Sequence, residues 1–497
     1  MGRAGLGASR PIRPRGRCDG LRHRPEELPI DDIWTLDATE LAGRVRRREF
    51  SAREVVQAHL DRIERVNPAL NAIVTLDAEG AVAAATAADE ALAAGVEPGP
   101  LHGLPIAFKD THQTKGMRTT FGSPLLAENV PVVDDLIVAR IQDAGAIRIG
   151  KTNVPEFAAG SHTFNPVFGV TRNPYDLGRS AGGSSGGAAA ALAAGLQPIA
   201  DGSDMGGSLR NPASFNNVVG FRPTPGRVPA YPTDTPWDTL GTAGPMGRTV
   251  ADVALLLSAI AGPDRRSPIA LETPGSAFAG PLERDLTGLR VAWAPDLGGL
   301  PVDPDVLAVL SSAPPVFTEL GCAVELAGPD LTEADLVFRT LRAHAFEVGF
   351  GAQFDAHPDQ FKPALAWNIE QGRRLTRADL GLATAAWGRL WRSATEFWDT
   401  YDVLIAPVSQ VAPFPVEQEY PESVAGQPQS NYLDWMRSAY HVTVLGAPAL
   451  SVPAGFIPAG LPIGLQIVTR PRSDLLTLQV GAAFEAATQF GRRRPPL

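Results

Sequence analysis

Hydrophobic patterning changes character twice along the chain. From about residue 36 to 95 apolar positions recur at helical spacing: Ser51-Ala52-Arg53-Glu54 has the form of a capping box, and an Ala-rich stretch from Ala81 closes at Gly95. An N-terminal helical layer is expected there. From about residue 100 short apolar runs alternate with helical segments, with Leu104–Phe108 as strand, Leu136–Ala144 as helix, Ala146–Ile149 as strand and Ala188–Ala194 as helix. Strands resume at Leu289–Ala294, Val403–Ala406, Ala449–Pro453 and Gly464–Val468, and a last helix runs from Ser473 to about Ala487. This alternation predicts an α/β sheet with helices on both faces, assembled from both halves of the chain.

Between about 303 and 400 the pattern turns helical and aromatic, with Phe346, Phe350, Phe354, Trp367, Trp387, Trp391 and Trp398. Trp387, Trp391 and Trp398 share one helical face, a stripe that suits either a core or a pocket wall. Up to about residue 28, seven arginines stand against Asp19, Glu26 and Glu27 with no apolar signal-peptide core. Residues 1–28 therefore read as a disordered basic tail. The span 29–497 reads as one catalytic domain: a helical layer over 35–95, a catalytic core over 100–300, a variable pocket region over 303–400 and a completion of the sheet over 401–490.

Composition narrows the function classes. A length of 497 with 44% hydrophobic residues allows a large core. The net charge of −10 argues against a general nucleic-acid surface. Cys18 and Cys322 are too few for a disulfide framework or a zinc site, which fits a reducing cytoplasm. No run of about 18 apolar residues occurs, so no membrane span is expected. A small-molecule substrate, no metal and a monomer or homodimer are the remaining expectations.

The chemistry gathers around one lysine and two serines. Only four lysines occur against forty arginines, and Lys109 closes the apolar run Leu104-Pro105-Ile106-Ala107-Phe108. Burial there disfavours the ammonium form and suits the side chain to act as a neutral base. In Asp204-Met205-Gly206-Gly207-Ser208 the small residues let consecutive backbone N–H groups turn toward one point, as an oxyanion hole needs. Ser208 is then a candidate nucleophile that requires a base. Ser184, inside Gly182-Gly183-Ser184-Ser185-Gly186-Gly187, is placed to pass a proton between Ser208 and Lys109. Taken singly, either serine reads as a turn or helix cap.

Two other patterns compete. Gly145-Ala146-Ile147-Arg148-Ile149-Gly150-Lys151-Thr152 matches a phosphate-binding loop letter for letter, but its interior is strand-like and Pro155 follows closely. Lys151 is expected to support structure. Gly182-Gly183-Ser184-Ser185-Gly186 matches the nucleophile elbow of Ser-His-Asp esterases, yet a loop precedes it, and the downstream histidines His344, His357 and His441 lack a supporting motif.

Taken together, the blocks Gly182–Ala191 and Gly202–Ala213 resemble the signature of the amidase signature family. The resemblance extends through Gly103–Asp110, Gly150–Phe157, Val219–Thr224, Gly244–Thr249 and Gly460–Gln466, and covers about 35 to 490 apart from 303–400. It implies a mixed, mostly parallel central sheet and hydrolysis of an amide, anilide or carbamate without a cofactor, in the manner of an aryl acylamidase or urethanase. It implies a Ser-Ser-Lys triad in which Ser208 is the nucleophile, Ser184 on a cis peptide bond the relay and Lys109 the base. The backbone N–H groups of Met205, Gly206, Gly207 and Ser208 would form the oxyanion hole. Ser185, Asp204 and Arg210 would support the loops, the last two as an ion pair.

Departures from the pattern touch the pocket. Met205 stands where threonine is common, and Asn216-Asn217 replaces a frequent Cys-Gly pair. With the aromatic residues of 303–400, Met205 is expected to favour aryl amides over glutamine, whose charged ends would lack partners. An ammonia-supplying glutaminase subunit is the alternative, although Ala230–Leu240 does not resemble that branch closely. A catalytically dead binding module would require loss of a triad residue, and none is missing.

Overall fold

The computed structural model describes Met1, Gly2 and residues 30–497, so nearly all of the expected basic tail lies outside the described residues. The N-terminal layer consists of helices Ala38–Arg46, Ala52–Leu70 and Ala78–Ala93. Ser51 caps the second: its hydroxyl accepts the Glu54 N–H at 3.1 Å, and the Glu54 carboxylate accepts the Ser51 N–H at 2.8 Å. Between the second and third helices a short strand, β1 (Ile73–Leu76), interrupts the expected helical run. It joins β2 (Pro105–Lys109) and β3 (Ile147–Thr152) in a small sheet of order β1-β3-β2.

Eight strands make the large sheet: β4 (Ile199–Asp204), β5 (Val219–Arg222), β6 (Thr242–Gly247), β7 (Arg290–Trp293), β8 (Ala323–Leu326), β9 (Val403–Pro407), β10 (Ala449–Phe456) and β11 (Pro462–Thr469). Their order is β8-β7-β9-β11-β10-β5-β6-β4. Strand alternation divides the core in two. Val403 and Ile405 pack with Val253, Leu257, Leu478 and Phe484 of the helices Val250–Ile260 and Asp474–Thr488. Leu404 and Ala406 pack with Phe338, Leu390 and Trp398 of the helices Ala334–Ala356 and Arg377–Thr400. The fold is thus α/β, with a mixed sheet flanked by helices.

The expectation of a mostly parallel sheet does not hold. In the large sheet only β7–β8 and β7–β9 pair in parallel; β9–β11, β10–β11, β10–β5, β6–β5 and β6–β4 are antiparallel. Strand–helix alternation in the first half suggested crossovers throughout, whereas β10 and β11 are joined by a turn closed between Ile457 N and Leu461 O at 3.0 Å. No helix among the described residues is long and apolar enough to cross a membrane.

Two features of the fold position the chemistry. Side chains tie β2 to β4 and to the chain just before it, since Asp201 Oδ1 accepts the Lys109 N–H at 3.0 Å and Gln197 Oε1 the Ala107 N–H at 2.7 Å. The helix Gly186–Ala193 is buried at every residue, which its uniformly small, apolar sequence permits. Gly202 on β4 is part of that fit: a Cβ there would lie 2.6 Å from Leu209 Cδ2 and 2.7 Å from Ser185 Oγ.

Candidate active site

Lys109, Ser184 and Ser208 converge from three elements: the end of β2, the loop before the buried alanine helix, and the turn after β4. Lys109 is fully buried. Its Nζ lies 2.8 Å from Ser184 Oγ and 2.9 Å from Ser203 Oγ. Burial pushes its ammonium down to about 7, although the charges of Asp201 and Asp204 pull it back up. Ser203 had no role in the expectation from sequence; it sits on β4 beside the signature turn.

The Ser184 loop is fastened by hydroxyl groups. The Gly183–Ser184 peptide is cis. Ser161 Oγ donates to Gly183 O at 2.6 Å and Thr163 Oγ1 to Gly182 O at 2.8 Å. Ser185 joins this loop to the next, its N–H donating to Ser208 O at 3.2 Å, while its own hydroxyl has no partner among the described residues. Ser184, Ser203 and Ser208 border one cavity of about 450 Å³.

A buried charge cluster shapes the turn carrying Ser208. Arg210 grips Asp204 with Nε to Oδ2 and Nη2 to Oδ1, both at 2.9 Å, and Arg222 donates to the Asp204 carbonyl. Burial raises the Asp204 carboxyl, but Arg210, then Arg222 and the Gly207 N–H, outweigh it and hold the group well below the ordinary range. Arg210 in turn anchors to Ala439 O at 2.8 Å and Thr443 Oγ1 at 2.9 Å.

The four expected oxyanion donors separate at this point. Gly207 N–H donates to Asp204 Oδ1 at 2.8 Å, and Gly207 does not border the cavity. Its requirement is steric: φ is +109°, and a Cβ would meet Ala439 Cβ and Asn211 Nδ2 at 2.6 Å. Met205, Gly206 and Ser208 border the cavity, and their N–H groups meet no acceptor among the described residues.

The competing motifs resolve structurally. Residues 147–152 form strand β3, and Lys151 Nζ is tied to His112 O at 2.5 Å and Thr114 Oγ1 at 2.8 Å. None of His344, His357 and His441 borders the cavity, and His441 Nε2 lies 3.0 Å from Asp335 Oδ1.

Phe121, Phe157, Phe346, Phe350, Met205 and Met436 supply the apolar cavity wall. The tryptophan stripe does not. Trp398 is in the core, Trp387 Nε1 donates to Val444 O at 2.7 Å, and Trp391 is half exposed. Arg342 borders the cavity as well, a cation that the sequence pattern did not single out. The sequence does not mark Phe121 and Phe157 as wall residues because both lie outside any periodic pattern; both take positive φ, 55° and 47°.

The family model Amidase matches residues 54–478. An acylamidase of Rhodococcus erythropolis is 39% identical over 470 residues, covering 93% of this chain and 98% of that protein. A glutamyl-tRNA(Gln) amidotransferase subunit of Acidothermus cellulolyticus is 37% identical over 487 residues, covering 92% and 95%. Among solved structures, a bacterial aryl acylamidase superposes with a TM-score of 0.86 at 29% identity, covering 93% of this chain and 99% of that one. This chain belongs to the amidase signature family and is an amide hydrolase.

Proposed function

We propose that the enzyme cleaves small apolar or aryl amides through an acyl-enzyme on Ser208. The observation that carries this reading is the fully buried Lys109 amine 2.8 Å from Ser184 Oγ, with Ser184 and Ser208 on one cavity. Neutral Lys109 accepts the Ser184 proton while Ser184 takes that of Ser208, and Ser208 Oγ attacks the amide carbonyl carbon. No hydrogen bond joins Ser184 to Ser208 among the described residues; such links commonly tighten only with substrate in place. The N–H groups of Met205, Gly206 and Ser208 receive the developing oxyanion. Collapse breaks the C–N bond as the proton returns through Ser184 to the leaving nitrogen. Water then releases the acid by the same route.

Two features support an aryl or apolar substrate: the phenylalanine and methionine wall, and the likeness to an acylamidase and an aryl acylamidase. An ammonia-supplying subunit is the second reading, favoured by the 37% identity to a glutamyl-tRNA(Gln) amidotransferase subunit. Anilide, short-chain amide, carbamate and glutamine substrates, assayed with wild type and Ser208→Ala, separate the two. Aryl amides should be the better substrates, and Ser208→Ala should lower their turnover by several orders of magnitude. Preferred hydrolysis of glutamine would move the protein to the second reading.

A further inference from the structure

Among the charged residues that border the cavity is one cation for which the proposed reaction has no use. Arg342, on the helix Ala334–Ala356, is only 5% exposed yet borders the cavity with Met205, Phe346 and Phe350. Its guanidinium lies 4.1 Å from the Phe346 ring centroid. Nη2 donates to the Tyr432 hydroxyl at 2.8 Å, and Nη1 reaches Met205 Sδ at 3.2 Å, a weak acceptor. Nε has no partner, and no carboxylate lies within ion-pair distance among the described residues.

Two other buried guanidinium groups of this fold are matched. Arg210 meets Asp204 at 2.9 Å and Arg227 meets Asp474 at 3.0 Å. A buried cation lacking such a partner destabilises the fold unless something supplies the opposite charge. A second cation, the Lys362 ammonium, lies 3.8 Å from where a Gly160 Cβ would be, but it is bonded to Ala159 O and feels the charges of Glu419 and Glu156. Asp234 and Asp238 also border the cavity, but from a loop open to solvent, where screening weakens their field.

Resting on the amide-hydrolase reading above, we infer that the substrate carries a carboxylate, which Arg342 at the cavity wall receives. The preferred class is then an apolar or aryl amide with an acidic group near the scissile bond. Stacked on Phe346 and held by Tyr432, the guanidinium is fixed at the cavity wall, where its N–H groups can form charge-assisted hydrogen bonds with an anion.

A neutral anilide and its two carboxylated relatives, one acidic on the acyl chain and one on the aniline ring, provide the test. Wild-type kcat/KM should favour one acidic relative over the neutral compound by roughly 10- to 100-fold, the span of a hydrogen bond to a charged group. That ratio should fall toward one in Arg342→Met, which keeps length and apolar packing, and be partly kept in Arg342→Lys. Calorimetry on Ser208→Ala reads the subsite without turnover: an aryl carboxylate should bind more tightly than the matching primary amide, and the gap should close in Ser208→Ala/Arg342→Met. No preference for the acidic compounds in either measurement overturns the inference while leaving amide hydrolysis intact. Carboxylate binding through Arg342 with no anilide turnover would do the reverse. Equal losses on all substrates in Arg342→Met, with a lowered Tm, would make Arg342 a clamp for Tyr432 and refute the subsite.

Discussion

Lys109 Nζ meets Ser203 Oγ at 2.9 Å, almost as closely as it meets Ser184 Oγ at 2.8 Å. A neutral amine has one lone pair and two N–H bonds. Donating one N–H to Ser203 leaves the lone pair free to face Ser184, so Ser203 orients the proposed base. Ser203→Ala should lower kcat about tenfold, the size of one lost hydrogen bond to a reacting group, and Ser203→Thr should restore most of it. Unchanged turnover in Ser203→Ala would show that Lys109 is oriented by burial alone.

The pH dependence follows from the same amine. Burial brings Lys109 down to about 7, and the proposed mechanism runs only through its free base. Protonation below that value removes the base, so kcat/KM should rise with pH through about 7 and level above it. Lys109→Arg keeps the charge but cannot deprotonate, and should be nearly inactive. A flat profile between about pH 6 and 9, or substantial activity in Lys109→Arg, would exclude the role.

Asp204 is the counter-charge of a buried cluster, gripped by Arg210 at 2.9 Å. Asp204→Asn keeps the shape but leaves Arg210 and Arg222 without their anion, and should cost about 3–5 kcal/mol of stability. Because the carboxyl is held well below the ordinary range, the contribution is present at neutral pH and declines only as acid protonates it. Denaturant titration measures the loss directly; a shift below about 1 kcal/mol would mean that the arginines find other partners.

How much of this was legible depends on how local each signal is. Lys109 declares itself because lysine is rare in the chain and closes an apolar run. Asp204 and Arg210 are near in sequence and near in space. Asp201, by contrast, reaches Lys109 across 92 positions, and no pattern links them. Strands β4 and β6 stayed hidden because close packing selects glycine and alanine where strand formers would normally signal them. The commitment of the Gly207 N–H to Asp204 is a matter of turn geometry that the run Met205-Gly206-Gly207-Ser208 does not reveal. Arg342 is one of forty arginines, and only tertiary packing sets it at the cavity wall without a carboxylate.

Phenylalanine rather than tryptophan lines the cavity. Trp391 is half exposed and away from the cavity, so Trp391→Ala should leave any preference for aryl amides in place. Phe346 and Phe350 border the cavity from the helix Ala334–Ala356, and burying one ring is worth roughly 1.5–3 kcal/mol. Phe350→Ala should therefore raise KM for aryl amides by about tenfold or more while changing that of a short aliphatic amide far less. Glutamine would find Arg342 for its carboxylate but offers no ring to this wall, and wild type should favour aryl amides over it by at least about tenfold in kcat/KM. Uniform losses across all substrates in Phe350→Ala would assign that ring to packing with Phe157, whose centroid is 4.9 Å away, and leave the aryl preference to Phe121 and Phe346.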